Sequence, residues 1–145
     1  MDTLPSPRAK LADCLWLPRI VAKARCLQAG ELPADYAERF CNPVAVDGHF
    51  LQFFGMTKEE LLEATNRFQS DEVIATWFCA RPGIDSKRID EWNYLAENLG
   101  KAGFPMAERF TAALATIYSH FDPATVRSIF DLIETDEKIE DSKGP

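Results

Sequence analysis

The chain has 145 residues, 46% of them apolar with ten Phe and three Trp, a composition that can bury one sizeable core and excludes a disordered main body. Its net charge of −7 has the wrong sign for general nucleic-acid binding, which draws its affinity from cations meeting phosphates. The longest apolar-rich stretch, Phe110 to Tyr118, is far too short to cross a bilayer, so no membrane span is expected.

Helix signals recur along the chain. Ser6 and Pro7 can start a first helix, with Ser as N-cap and Pro at the first position. Pro18 suits the start of a second helix and Gly30 its end, and Leu32-Pro33 opens a short one towards Phe40. "CNPVAVDG" reads as a loop, after which Asp47 can cap a short helix ending at Gly55. The strongest local signal follows in "MTKEEL": Thr57 and Glu60 form a capping box, bracketed by Met56 and Leu61 as a hydrophobic staple. Leu61, Leu62, Thr65 and Phe68 continue with helical spacing.

Ser70 caps the next helix, with Val73, Ile74, Trp77 and Phe78 on one face. Asp85 caps another, with Ile84 and Ile89 as its staple and Ile89, Trp92, Ala96 and Leu99 as its buried stripe. Beyond the "GKAGFP" turn, Pro105 starts a long helix through Phe110, Ala113, Leu114, Ile117 and Phe121. Asp122-Pro123 then sets up a last helix on Val126, Ile129, Phe130 and Ile133. Only "PVAV" looks strand-like, and four residues cannot make a sheet. The expected fold is all-α, a single-domain bundle of about seven or eight short helices over residues 1–135. A polar, frayed tail is expected over residues 136–145.

Charge is unevenly spread: residues 1–30 carry +3 and the remaining 115 carry −10. The simplest use of that asymmetry is an internal electrostatic match. Cys14, Cys26, Cys41 and Cys79 show no CxxC spacing, and Pro18 and Arg19 interrupt the only early apolar patch, so no signal peptide is read. A cytoplasmic protein with reduced thiols is expected, the cysteines serving as small buried hydrophobes.

Chemistry-bearing patterns are scarce. There is no nucleophile elbow, phosphate loop or His-Glu-x-x-His run. A metal held by Cys41, His49 and Cys79 is conceivable but has no supporting spacing, so neither metal nor cofactor is expected. Paired acids such as Glu59-Glu60 and Asp71-Glu72 sit in first helical turns, where the macrodipole accounts for them.

"WLPRIVAKARCLQAG", Trp16 to Gly30, is more informative. On a helical wheel Trp16, Leu17, Ile20, Ala24 and Leu27 form the apolar face, with Arg19 and Lys23 along one border and Arg25 on the far side. Between them runs a stripe of small residues, Ala22, Cys26 and Ala29. Either a neighbouring helix packs on that stripe while the cation stems snorkel over the join, or an anion is clamped there. Asn93, at the edge of its helix's apolar face, needs partners for its amide, which a backbone group or a ligand could supply. Trp77 and Trp92 are core anchors on the simplest reading, and walls of a small-molecule pocket on the other.

In order, "LPSPRAKL", "LPRIVAKAR", "AGEL", "FFGMTKEELLEA", "SDEVIATW" and "EWN" resemble a bacterial family known as domain of unknown function 5069, over roughly residues 4–100. The resemblance implies a bacterial, soluble, helical setting; the family's name supplies no activity. In that family's pattern an acidic residue precedes the Lys-Ala-Arg run, where this chain has Ala22. The function expected is a non-catalytic cytosolic binding or interaction domain. The alternative is a small enzyme or binding protein for an anionic metabolite, held by Arg19, Lys23 and Arg25 with Trp77, Trp92 and Asn93 shaping the other wall. The partner is accordingly a protein or an anionic small molecule.

Overall fold

Trp16, Leu17, Ile20, Val21 and Ala24 carry the buried face of a helix that fixes the arrangement of the elements around it. In the computed structural model, residues 4–143 are described, with side chains as far as Ile139. Among the described residues two strands, β1 (Lys10–Leu11) and β2 (Cys14–Leu15), pair antiparallel ahead of eight helices. The helices are α1 (Leu17–Gln28), α2 (Ala34–Arg39), α3 (Val46–Phe54), α4 (Lys58–Arg67), α5 (Asp71–Cys79), α6 (Ser86–Asn98), α7 (Ala107–Ala115) and α8 (Ile129–Lys143). The fold is mostly helical, as its periodicities predict, and the chain's contacts gather into two units, one ending at Asn93 and one starting at Tyr94.

In the first unit α1 packs along α4. The end of α1 is a Schellman motif: Gly30 is left-handed (φ 73°), its N–H donates to Leu27 O at 3.1 Å and that of Glu31 to Cys26 O at 2.9 Å. At α4 the capping box is complete, with Glu60 N–H donating to Thr57 Oγ1 at 3.1 Å and Thr57 N–H to Glu60 Oε1 at 3.0 Å. Ser70 and Asp85 cap α5 and α6 through the N–H groups of Val73 and Arg88. Phe50 and Phe54 of α3 meet Phe78 of α5 and Trp92 of α6 at ring-centroid distances of 5.0–6.1 Å, an aromatic core with mainly edge-to-face geometry.

In the second unit Leu99 and Gly100 carry the turn after α6. Leu99 O accepts from Ile129 N–H at 2.9 Å, and Gly100 N–H donates to Pro105 O at 2.9 Å. Gly100 is left-handed (φ 93°), and a Cβ there would stand 3.0–3.1 Å from Ile129 and Phe110, so both backbone and packing require glycine. Phe110 is the one buried residue of α7.

Four sequence expectations need correction. No helix starts at Ser6-Pro7; a turn leads into the β1–β2 hairpin, whose two-residue loop puts Ala12 (φ 54°) and Asp13 (φ 61°) in left-handed conformations. That loop is normally written with Asn and Gly, so its sequence gave no hairpin signal. Asp47 does not cap α3: the N-cap is Ala45 and Asp47 lies buried in the first turn. The helix expected from Pro105 to Phe121 spans only Ala107–Ala115, because Thr116 leaves helical geometry (φ −125°, ψ −89°). The last helix begins at Ile129, after turns over the stretch that follows Asp122-Pro123, and continues to Lys143 through the polar segment.

Candidate functional site

Helical spacing places Asp47, Phe50, Leu51 and Phe54 on one face of α3, so a carboxylate leads an otherwise apolar stripe into the core. From α1 Lys23 pairs with it, and Arg19 lies one turn earlier on the same helix. Arg19, Lys23 and Asp47 are 2%, 5% and 1% exposed, values rare for charged groups without partners.

Asp47 is engaged by three residues from two segments of the chain, α1 with its N-cap and the stretch before α3. Trp16 Nε1 donates to Oδ1 at 2.7 Å, Lys23 Nζ lies 3.4 Å from Oδ1 and 3.3 Å from Oδ2, and Cys41 N–H donates to Oδ2 at 3.2 Å. The Trp16 ring is flanked by both cations, with Lys23 Nζ 4.9 Å and Arg19 Cζ 5.3 Å from its centroid. Arg19 Nη1 also donates to Pro5 O at 3.0 Å. Burial pushes the Lys23 ammonium down from its ordinary value; Asp47 opposes that shift, while Arg19 and Arg39 reinforce it. Burial likewise pushes the Cys41 thiol up to about 12, so it is a thiol rather than a thiolate at neutral pH.

The remaining sequence candidates go elsewhere. Arg25 turns away from Lys23, pairing with Asp71 at 2.6 Å and reaching Phe68 O at 3.5 Å. Beside it Gln28 donates to Leu62 O, so α4 is tied to this edge of α1, and Ala29, at the end of the small-residue stripe, is exposed. Asn93 accepts from Leu15 N–H at 2.9 Å and donates to Asp13 O at 2.8 Å, while Trp92 Nε1 donates to Leu15 O at 2.9 Å. Adjacent residues of α6 thus clamp the strained hairpin. Trp77 is half-buried with the Arg81 guanidinium 5.4 Å from its ring centroid, and Arg81 pairs with Glu60 at 3.0 Å.

The six residues therefore fall into separate groups: Arg19 and Lys23 about Trp16, Arg25 on Asp71, Trp92 and Asn93 on the hairpin, and Trp77 under Arg81. Cys41, His49 and Cys79 do not come together, and among the described residues no group of three His, Cys, Asp or Glu side chains could hold a metal ion. Asp47 was missed as a member of the cluster because a helix start explains an acid at that position equally well. The signal that could have found it is its spacing with Phe50, Leu51 and Phe54.

Fold and cluster define a mostly helical protein built around a buried ion pair. Over residues 1–139 the chain matches the family described as Domain of unknown function (DUF5069), and it belongs to that family. No curated protein and no solved structure matches it. None of the described helices is long and apolar enough to cross a membrane.

Proposed function

We propose that this chain is a non-catalytic binding or interaction domain of the bacterial cytoplasm, and that its buried cations serve the fold. One observation carries the reading: Lys23, one of the cations that would hold a ligand's anion, already has a carboxylate partner within the protein, Asp47, 3.3 Å from its Nζ. A carboxylate with three donors needs nothing further, and displacing it would leave a charge buried without compensation. Arg25 and Asn93 are similarly committed to Asp71 and to the hairpin backbone. The cytoplasmic assignment is supported by four free thiols, two half-buried and one fully buried, which suit a reducing compartment.

Thermal unfolding in phosphate, sulfate and citrate, with ionic strength matched by sodium chloride, tests this reading. A structural cluster predicts no anion-specific rise in Tm, and a Tm for Lys23→Ala well below wild type in every buffer. A specific rise that saturates with anion concentration, and that Lys23→Ala abolishes, would replace this reading with that of an anionic-metabolite site.

A further inference from the structure

Helix α5 carries more apolar surface than the fold uses. Six of its nine residues, Val73, Ile74, Ala75, Trp77, Phe78 and Cys79, are apolar, yet only Ile74 and Phe78 are buried. A helix apolar on nearly every side is normally enclosed. Here Val73, Thr76, Trp77 and Ala80 lie together on a face roughly 130° round the helix from that buried pair. Val73 is 45% exposed, one of four large hydrophobic side chains exposed among the described residues. Thr76 and Ala80 are exposed as well, and Trp77 is half-buried.

The polar groups bordering this face are already arranged. The Thr76 hydroxyl donates to Glu72 O within the helix at 3.1 Å, so it brings no unmet donor to the surface. The Arg81 guanidinium, 5.4 Å from the Trp77 ring centroid, is held by Glu60 at 3.0 Å and by Gly55 O at 3.3 Å. Tryptophan and arginine are the residues on which interfaces most often depend. At the other end of α5, Glu72 is exposed and makes no ion pair among the described residues.

This pattern is complementary to itself. Two copies of α5 packed antiparallel, with the two-fold axis between Thr76 and Trp77, set Val73 of each against the small Ala80 of the other. The same register brings each Glu72 level with the other copy's Arg81 and opposes the two helix dipoles. Parallel packing would instead put Glu72 beside Glu72, in a protein whose net charge is already −7.

We infer that the exposed face of α5 is a homodimer surface, on which a second copy of this chain docks antiparallel through Val73, Thr76, Trp77 and Ala80. The surface is separate from the α1 cluster, so the outcome of the anion test leaves it untouched. One nine-residue helix per copy covers less area than a permanent dimer needs, so the association is weak and concentration-dependent.

Sedimentation equilibrium of the full chain, from roughly 10 μM to 1 mM, tests the surface. The weight-average mass is expected to rise from 16.3 kDa towards twice that value and no further. Val73→Glu, at an exposed position, is expected to weaken association about tenfold or more with little change in Tm. Glu72→Lys, which sets like charges level with each other, should weaken it about threefold or more. The homodimer is overturned if the wild type stays at 16.3 kDa throughout, which would leave the face to a different partner, or if its mass passes that of a dimer. It is equally overturned if Val73→Glu associates as well as the wild type. Association that Glu72→Lys leaves unchanged or strengthens overturns the antiparallel arrangement. Thr76→Lys, at the centre of the face, decides the matter should Val73→Glu fail to fold.

Discussion

Asp47 accepts from an indole, an ammonium and a backbone amide at once, and each contact lowers the cost of burying its charge. Removing either partner of a buried pair costs about 3–5 kcal/mol, because the survivor stays charged without compensation. Strain of another kind sits at the hairpin, where Ala12 and Asp13 hold left-handed conformations worth about 1–2 kcal/mol each. Asn93 and Trp92 hold the turn in place through three hydrogen bonds. Ala12→Asn, which tolerates that conformation, should stabilise the protein by about 1 kcal/mol in urea unfolding. No change, or a loss, would show that the loop is not strained at this position.

At the scale of elements, legibility in the sequence followed the locality of the cause. The starts of α4, α5 and α6 and the end of α1 depend on residues three or four apart, and all four were readable. The hairpin depends on Asn93, some eighty positions away, and on a turn whose own residues do not favour it. It could not be read locally. The end of α7 at Thr116 breaks an apolar periodicity that continues to Phe121, so pattern alone overextended the helix.

The α4 capping box also sets a pH dependence. The Thr57 N–H first, and then Arg81, hold the Glu60 carboxyl below its ordinary 4.5. A carboxyl lowered on folding contributes stability that is complete above 4.5 and is lost as pH falls through its folded value. Urea unfolding of Glu60→Gln should therefore show a gap from wild type at pH 7 that narrows steadily as acid is added below 4.5. A gap independent of pH would rule out the ionised form as the source of this contribution.

Across the whole molecule the basic start and the acidic remainder meet, at least in part, inside the first unit, as Lys23–Asp47 and Arg25–Asp71. The charge asymmetry announced this match, and the wheel of α1 correctly put Arg19 and Lys23 together. Neither could supply the partner, since a carboxylate at a helix start has an adequate local explanation. Three-dimensional placement, not composition, separates a cation pair awaiting a ligand from one already answered.

The central claim is that Lys23 and Asp47 answer each other, and a double-mutant cycle measures it most directly. Lys23→Met, Asp47→Asn and the double variant would be compared with wild type by urea unfolding, the Asn retaining an acceptor for Trp16. The account predicts a coupling of about 2–3 kcal/mol, with the double variant more stable than the sum of the single losses implies. Additivity within about 0.5 kcal/mol would contradict it and release Lys23 for a role outside the fold.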